Sequence, residues 1–599
     1  MGRILLSNNS EVFENMVQDY SRCFQLNGCS RSEGLYVAAF KKLRGNSVNF
    51  KEWKEGCIAV TGTFLYKNEH GASALDKFYR DFREDLIGAL TRKAMGCYAV
   101  VVKKGGVVHV LVDNSGAYKL YYYYGGGRLV VSNSLYHMAR NIRDGLSING
   151  LALLEGSFQF SILGEDTPFN EIRQITGRMV LEYQVKSHTV RELPKQLTPC
   201  DPVLSDGNID DAAKHLAGII RHTMDVVTRP YDRVTLHLTG GLDSRLVLAS
   251  MLSIGRKPKI VYGVGNSPLT NTRVRDLEIV NIYSRTFGLD LYQMDWTAQN
   301  NFMEDWDRLL DKYGEAYGIY SGLNTVFREY EENLPEFTEF VEYGQQGETL
   351  RNVASLEWCK GSSLSLGALI ERVYLYEYDR LRQCVRPFEQ YREYIHQKLY
   401  KVCGELGIDA RRIGKDEFQR IHNRYREKAD TRMVNLQNAI VYSTVILADQ
   451  EVQGYLITIP YEWKRRARFQ LRVINELFPD VLDVPVFSHC RDWRYDRDKG
   501  ELREINRYMH VKAYIEGRIR RSRVGPVCRA VKTGLLANTK ERKGVVQGPK
   551  GVRTTLRAGV ARLQAKMGLN LMQAESYEGD IRGLMLYYQN LYWIDKAVS

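Results

Sequence analysis

Residues 234–245 of this 599-residue chain read VTLHLTGGLDSR. The first five residues predict a short buried strand, and the apolar run that follows Ser244 predicts a helix. Between them lie two adjacent glycines, whose bare backbone lets an anion approach the N–H groups closely. Two glycines alone would indicate only a turn, but here a carboxylate and two hydroxyls stand beside them. The ligand-binding candidates of this loop are Leu238, Thr239, Gly240, Gly241, Asp243 and Ser244.

The residues after this loop repeat the alternation of strand and helix. KIVYGV at 259–264 predicts a second strand, and RDLEIVNIYSRTFG at 275–288 predicts a second helix that ends in glycine. This order indicates parallel βαβ units, in which ligands bind beyond the carboxyl ends of the strands. The loop at 239–244 occupies that position. It contains neither GxxxxGK followed by Ser or Thr nor GxGxxG, so a Walker-type loop and a dinucleotide-binding loop are both disfavoured.

The sequence divides into three predicted domains. Residues 1–205 hold short runs of β-forming residues broken by Gly, Asn and Lys turns, which favours an antiparallel α+β domain. A turn-rich connection leads into residues 206–500, which predict a parallel α/β domain with a mostly helical later part. Residues 501–599 are predicted to be a basic extension. The expected fold class is therefore a multidomain chain of α+β and α/β type.

The composition is that of an ordinary globular protein, with 44% hydrophobic and 26% charged residues. No apolar run is long enough to span a bilayer, and the N-terminal residues do not predict a signal peptide, so we expect a cytoplasmic protein. The ten cysteines are scattered, which indicates reduced thiols rather than a disulfide framework. The eleven histidines are equally dispersed, so the sequence gives no support for a zinc or iron site.

The positive charge is concentrated in one segment. Residues 512–566 contain fifteen lysines and arginines against two glutamates, a net charge of +13 that equals the charge of the whole chain. Such a segment is either a solvated extension or a docking element for an anionic partner, such as a membrane face or a sugar phosphate. No nucleic-acid recognition motif accompanies it, so a specific nucleic-acid partner is not predicted.

TGGLDS closely resembles the SGGLDS pyrophosphate loop of ATP pyrophosphatases, and specifically of the asparagine synthetase family, with Thr239 in place of serine. The resemblance implies an adenine-nucleotide α-hydrolase-like sheet, ATP as cofactor, and Mg²⁺ bound by a catalytic Asp243. VYGVGNSPLT at 261–270 is similar to the family's second strand, which implies that Tyr262 and Gly263 lie beside the adenine.

FVEYGQQGETLRN at 340–352 is similar to the family's later glycine-rich loop. The resemblance implies that Gly344 and Gly347 bind the nucleotide and that Glu348 is a catalytic residue and a second magnesium ligand. Gln345 stands where asparagine synthetases usually carry a glutamate on the acceptor side, which puts aspartate as the substrate in doubt.

Two later segments depart further from the family. LITIPYEWK at 456–464 has lost much of the PFLD signature, and the region around residues 484–500 shows no clear match to the family's late lysine. Arg491 and Lys499 are the candidates for that charge, and Arg491 is taken as the catalytic candidate.

The first 200 residues resemble the class II glutamine amidotransferase domain that precedes this synthetase, through GCYAVVV, LVDNSGAYKLYYY and VVSNSLYHMARN. That chemistry requires an N-terminal cysteine whose α-amine acts as base. Here Gly2 follows the initiator methionine, Cys23 and Cys29 lie further on, and Thr61 replaces the oxyanion-hole asparagine while Gly62 remains. We therefore expect an amidotransferase-like scaffold that does not hydrolyse glutamine.

These observations predict an ATP-dependent ligase that adenylates a carboxylate and transfers it to ammonia or a substrate amine, releasing AMP and pyrophosphate. Family members without the cysteine include β-lactam synthetases, lasso-peptide cyclases and asparagine synthetase-like proteins of surface-polysaccharide clusters, so biosynthesis of that kind is expected. A glutamine-hydrolysing asparagine synthetase and a non-catalytic nucleotide-binding relative are the alternatives. The oligomeric state stays open, with a homodimer as one candidate.

Overall fold

The structure is a computed structural model that describes twelve parts of the chain. Side chains at the edges of some of these parts are outside the description. The described residues are 2–159, 161–195, 207–264, 271–295, 306–314, 334–351, 363–375, 377–429, 433–488, 491–507, 549–574 and 581–598. Most of the basic segment predicted at 512–566 therefore lies outside them.

The strands are numbered in chain order. Strands β1 to β12 are Arg3–Ser7, Leu26–Ser32, Leu35–Phe40, Phe50–Trp53, Gly56–Gly62, Leu65–Tyr66, Glu69–His70, Ala94–Met95, Tyr98–Lys104, Val107–Val112, Tyr121–Gly125 and Arg128–Ser132. Strands β13 to β23 are Ile172–Gln174, Met179–Gln184, Thr189–Pro194, Val234–His237, Lys259–Val264, Leu291–Asp295, Phe340–Glu342, Tyr442–Ser443, Val486–Ser488, Arg491–Asp496 and Glu501–Arg507.

The helices are numbered in the same way. Helices α1 to α10 are Ser10–Ser21, Gly71–Asp81, Ile87–Arg92, Leu135–Ile142, Gly150–Phe158, Ile209–Thr228, Leu242–Ser253, Asn271–Phe287, Trp306–Tyr313 and Leu366–Leu369. Helices α11 to α19 are Tyr378–Cys384, Phe388–Glu405, Lys415–Ala429, Val434–Ile440, Gln450–Leu456, Tyr461–Lys464, Arg468–Leu477, Pro549–Lys566 and Ile581–Val598. Within the described parts of the chain, none of these helices has both the length and the apolar character needed to cross a bilayer.

Two antiparallel sheets form the N-terminal domain. One has the strand order β13-β11-β12-β1-β3-β2 and the other β15-β14-β10-β9-β5-β4. Side chains alternate between the faces of each strand. In β9, Ala99 and Val101 join the core between the sheets, whereas Val100 and Val102 face the core on the far side. Helices cover both outer faces, so the domain has a helix–sheet–sheet–helix arrangement.

A parallel sheet follows, with the strand order β18-β17-β16-β19-β20. All four neighbouring pairs are parallel, and α7 and α8 connect β16, β17 and β18 as the sequence predicted. Helix α7 ends before Gly255, whose φ of +72° is the left-handed conformation that favours glycine at a helix end. The expected fold class, an antiparallel sandwich followed by a parallel sheet and a helical part, is confirmed.

The C-terminal residues differ from a simple basic extension. Strand β23 pairs with β22 across the boundary expected at residue 500, because β21, β22 and β23 form one small antiparallel sheet. Helices α18 and α19 pack against each other, and α19 packs on α4 and α5 of the N-terminal domain. Asn590 donates to the hydroxyl of Ser157 at 3.0 Å, and Leu591 and Trp593 are buried in the same core. The end of the chain therefore completes the outer helical layer of the first domain.

The packing of α19 can be tested by truncating one buried side chain. Leu591 is fully buried, so Leu591→Ala should lower the free energy of unfolding by about 2–5 kcal/mol, through lost apolar burial and the cavity left behind. Denaturant unfolding of the full chain measures the change. Val598→Ala in the same helix is the control, since Val598 is 38% exposed, and equal losses in the two variants would contradict this placement of α19.

Candidate functional site

The strand order places a crevice at the middle of the parallel sheet. The chain leaves β16 to form β17 and β18 on one side, and β19 and β20 lie on the other. Strands β16 and β19 are therefore adjacent while the connections after them depart in opposite directions. In open α/β sheets, ligands bind at such a point, beyond the carboxyl ends of the two strands. The loops that follow β16 and β19 are the two glycine-containing loops found in the sequence.

The first loop, at residues 239–244, leads from β16 into α7 and includes the first three residues of that helix. Leu238 is buried and its N–H donates to the carbonyl of Val261 at 3.1 Å, which continues the sheet for one residue beyond β16. The Ser244 hydroxyl accepts from the N–H of Thr239 at 3.0 Å and lies 3.1 Å from its hydroxyl. Gly241 is the N-cap of α7 and provides no side-chain cap. The first turn of α7 therefore keeps backbone N–H groups that can meet an anion.

The second loop lies directly on the first. A Cβ at Gly344 would lie 2.3 Å from the backbone nitrogen of Ser244, and one at Gly347 would lie 2.5 Å from Cβ of Asp243. Gly344 therefore permits packing of backbone on backbone, and Gly347 leaves space for the side chain of Asp243. A 3₁₀ turn at Gly347–Leu350 then places Glu348 beside the first loop. The structure thus brings together residues that are about 100 positions apart in the sequence.

Asp243 is the centre of the polar contacts between the loops. It forms an ion pair of 2.6 Å with Arg351 and accepts a hydrogen bond of 2.9 Å from the buried Gln470. Burial raises the pKa of the Asp243 carboxyl, the Arg351 guanidinium opposes this, and the charge of the nearby Glu348 raises the pKa further. Two neighbouring carboxylates that disfavour each other's ionisation are an oxygen donor set of the kind that binds a hard cation. Arg351 and Gln470 were not recognised from the sequence.

Asp276 of α8 is a further residue that sequence reasoning missed. Its carboxylate accepts a hydrogen bond of 2.6 Å from the N–H of Gly240, so one anion-binding group of the loop is already occupied. Burial raises the pKa of Asp276, and the Gly240 bond opposes that rise. Tyr262 is buried, and its hydroxyl donates to the carbonyl of Arg273 at 3.2 Å. The Tyr262 side chain therefore contacts α8, and the carbonyl of the next residue, Gly263, accepts a hydrogen bond from Arg273 at 3.4 Å. A position of Tyr262 and Gly263 beside an adenine stays a prediction.

Arg491 lies in the small antiparallel sheet of β21, β22 and β23. Its guanidinium forms an ion pair of 2.9 Å with Glu504, and it is the register partner of Ser488. The preceding residue, Phe487, donates from its N–H to the carbonyl of Gly240 at 3.0 Å, so the sheet adjoins the first loop. Lys499 lies in the distant turn between β22 and β23. A catalytic role for Arg491 stays a prediction.

Arg245 has a structural role that the sequence did not reveal. It is fully buried, and its guanidinium donates to the carbonyls of Val484 and Pro485 at 2.7 Å each. It also reaches the carbonyl of Gly240 at 3.3 Å. The residue after the loop therefore ties the chain that enters β21 to the loop itself.

In the N-terminal domain, the residues around Gly2 leave no room for a cysteine side chain at that position. The N–H of Gly2 donates to the carbonyl of Phe40 at 2.9 Å, and a Cβ at Gly2 would lie 2.6 Å from the Lys41 carbonyl oxygen. Thr61 is buried, with its hydroxyl 2.8 Å from that of Tyr118.

A network of hydrogen bonds connects Thr61, Tyr118, Asn133 and Gly2. Asn133 donates to the Gly2 carbonyl at 3.1 Å and to the Tyr118 hydroxyl at 2.9 Å. Gly62, with a φ of +92°, packs against the backbone of Cys97. Cys29 lies within β2 and burial raises the pKa of its thiol, while Cys23 follows α1. Neither cysteine lies at the end of the chain beside Gly2.

Comparisons with known proteins give only distant likenesses. No protein-family model matches the chain, and no curated protein does. One similar solved structure is described as the allosteric regulatory enzyme of purine biosynthesis, with 9% identity, a TM-score of 0.24, and coverage of 39% of this chain and 60% of that one. The chain thus spans less than two thirds of that enzyme.

A second similar structure is the glutamine phosphoribosylpyrophosphate amidotransferase of B. subtilis in complex with ADP and GMP. Its identity is 9% and its TM-score 0.24, with coverage of 57% of this chain and 81% of that one. At these values neither likeness informs the activity of the present chain.

The close contact of the two loops predicts the effect of adding one methyl group. Gly344→Ala places a Cβ against the backbone of Ser244 and should lower the free energy of unfolding by about 1–3 kcal/mol. Gly218→Ala in α6 is the matched control, because no atom lies within 4 Å of its added Cβ. That change should raise the free energy of unfolding by roughly 0.5–1 kcal/mol. Denaturant unfolding checks both, and a tolerated Gly344→Ala would contradict the contact.

The buried Glu342 at the end of β19 predicts a pH dependence. Its carboxylate accepts from the Thr444 hydroxyl and the Ile446 N–H, but burial still raises its pKa from 4.5 to about 8. In the unfolded chain the carboxyl ionises near pH 4.5, while in the folded protein it keeps its proton. The contribution of Glu342 to the free energy of unfolding is therefore fully present below about pH 4.5 and is lost as the pH rises through about 8.

Glu342→Gln should remove that loss. Unfolding of the variant and the unchanged protein at pH 5, 6.5 and 8 measures the difference between them, which should grow in favour of the variant as the pH rises. A constant difference across this range would show that Glu342 ionises normally in the folded protein.

Proposed function

We propose that the chain is an ATP-dependent amide-forming ligase that activates a substrate carboxylate by adenylation. The observation that carries this proposal is the meeting of two glycine loops at the centre of the parallel sheet, with Asp243 and Glu348 between them. The resemblance of these loops to those of the asparagine synthetase family supplies the reaction type. The reaction would release AMP and pyrophosphate.

The residues of the site fit a magnesium–nucleotide ligand. The uncapped first turn of α7, starting at Gly241, offers backbone N–H groups for phosphate oxygens. Asp243 and Glu348 would hold Mg²⁺, which would neutralise phosphate charge. Arg351 is paired with Asp243 at 2.6 Å. Once Mg²⁺ takes its place on the Asp243 carboxylate, the Arg351 guanidinium would be free to pair with a phosphate oxygen. Binding of the magnesium nucleotide would therefore replace the Arg351–Asp243 ion pair with two others, Asp243 with Mg²⁺ and Arg351 with phosphate.

The proposed reaction balances in two steps. A carboxylate oxygen of the substrate attacks the α-phosphorus of ATP, and the bond to the bridging oxygen breaks, so pyrophosphate leaves with the electron pair. The nitrogen of ammonia or of a substrate amine then attacks the acyl carbon, loses a proton, and expels AMP. Positioning and charge neutralisation by the loops supply the catalysis that such a step needs.

We further propose that the nitrogen does not come from glutamine hydrolysis in the N-terminal domain. Two observations support this. The tight packing of Gly2 leaves no space for a cysteine side chain, and the hydroxyl of Thr61 is engaged by Tyr118 where an oxyanion donor would be required. The main alternative is a glutamine-hydrolysing asparagine synthetase, and a non-catalytic nucleotide-binding protein is the other. Substrates from polysaccharide or natural-product biosynthesis and an anionic partner for residues 512–566 stay proposals, as does a cytoplasmic location.

A product assay tests the proposed reaction. The full chain is incubated with ATP, Mg²⁺ and a panel of carboxylates, with either ammonium or glutamine, and phosphorus NMR follows the products. We expect AMP and pyrophosphate with ammonium, or with an amine-bearing acid alone, and no added effect of glutamine. Turnover as fast with glutamine as with ammonium would refute the proposal that the N-terminal domain does not hydrolyse glutamine. Formation of ADP and phosphate would refute adenylation.

Two variants locate the activity. Asp243→Asn should abolish turnover, because it removes a charge that binds magnesium. Asp232→Asn is the control, since Asp232 is exposed and precedes the opposite end of β16. If Asp243→Asn kept full activity, the reaction would have to take place elsewhere.

A further inference from the structure

The N-terminal domain contains a second group of ligand-type side chains, well separated in the fold from the parallel sheet. His109 of β10 and Glu182 of β14 are direct register partners on neighbouring antiparallel strands. Both are buried, with 4% and 2% of their surface exposed. Glu84, on the short turn between α2 and α3, closes over them from the surface. One ligand atom from each residue lies within 4.8 Å of the other two.

The contacts of the His109 ring with the two carboxylates are too long for ordinary hydrogen bonds. Nε2 of His109 lies 3.6 Å from Oε2 of Glu182 and 3.9 Å from Oε2 of Glu84. Neither ring nitrogen of His109 has a hydrogen-bond partner among the described residues. A buried imidazole with both nitrogens unpartnered is costly unless a ligand satisfies one of them.

Two carboxylates face this buried imidazole, and the cation beside them lies on the outside of the group. Arg191 is 67% exposed and lies 3.9 Å from Oε1 of Glu182, the carboxylate oxygen that is not the one nearest His109. One imidazole with two carboxylates is a set of ligand types that suits a divalent cation.

We propose that Glu84, His109 and Glu182 form a binding site for a divalent transition-metal ion of the zinc type. Metal–ligand bonds of about 2.0–2.2 Å place neighbouring ligand atoms roughly 3.3–3.5 Å apart in a tetrahedral site. The observed distances of 3.6 and 3.9 Å therefore need to contract by only a few tenths of an ångström. One imidazole with two carboxylates suits zinc or manganese, whereas calcium and magnesium prefer oxygen alone.

Gln184 orients the carboxylate of Glu182, one of the three proposed metal ligands. It donates from Nε2 to Oε1 of Glu182 at 2.9 Å, which leaves Oε2 directed at His109. Hydrogen bonds of this kind fix the ligating oxygen and are a common second layer around metal sites. Solvent would complete the coordination on the exposed side of Glu84.

The site would fasten one surface segment to the sheet. Glu84 begins the residues 84–95 that form α3 and β8, and Thr91 and Ala94 in this segment line a small cavity against Thr444 and Asp449 of the second domain. A metal that joins Glu84 to β10 and β14 therefore holds in place a part of the interface between the domains. Its role is stabilisation, and the proposal does not depend on the ligase reaction.

The test uses the full chain after treatment with EDTA. Zn²⁺, Mn²⁺ and Mg²⁺ are added in turn, binding is followed by calorimetry, and the midpoint of thermal unfolding is recorded with and without each ion. We expect one equivalent of Zn²⁺ to bind and to raise the unfolding midpoint, with Mg²⁺ giving no comparable rise.

Glu84→Gln is the decisive variant, because Glu84 is exposed and the change should not impair folding. It should weaken zinc binding by about tenfold or more, while the metal-free variant is at least as stable as the unchanged protein since the carboxylate repulsion is gone. Asp85→Asn, on the same turn but outside the group, is the matched control. His109→Gln should also abolish the rise in the midpoint. Equal zinc affinity in Glu84→Gln and Asp85→Asn, or no zinc binding to the unchanged protein, would overturn the proposal.

Discussion

The contact of the Gly344 backbone with Ser244 is the constraint on which the candidate site depends. Because a Cβ at Gly344 would lie 2.3 Å from the Ser244 nitrogen, the loops after β16 and β19 can approach only as bare backbone. This approach places Glu348 and Arg351 beside Asp243. Arg245 fixes the other side, since its buried guanidinium binds carbonyls of residues 481–485 and of Gly240. The candidate ligand groups are therefore held both by close backbone packing and by buried side chains such as Arg245.

The sequence predicted those parts of the fold that local patterns determine. The strand, loop and helix around residues 234–253 were predicted correctly, because apolar runs and glycine positions mark them without reference to the rest of the chain. Strand β1 was not predicted, since a run of three apolar residues in RILLS carries no distinctive period. Asp276, Arg351 and Gln470 were missed for another reason. They contact Gly240 or Asp243 across 36 to 227 positions, and no local pattern indicates which distant polar residue faces a given loop.

The same limit explains the histidine and carboxylates of the N-terminal domain. No zinc site was predicted, because zinc ligands are recognised in a sequence by their short spacing. His109 and Glu182 are 73 positions apart and become neighbours only through the register of β10 and β14. Metal ligands supplied by paired strands leave no spacing signature. Only the sheet topology reveals such a group.

The first two domains share a buried interface. Val434, Val445 and Ala448 of the second domain enter the core between the two antiparallel sheets. The buried ammonium of Lys42, in the first domain, donates to the carbonyl of Asn438 at 2.7 Å. Burial holds the pKa of Lys42 well below its usual value. Removing the first domain would take away this donor and expose the apolar surface of Val434, Val445 and Ala448. Strand β20, at the edge of the parallel sheet, begins four residues after Asn438. The first domain thus supports the sheet that forms the candidate site.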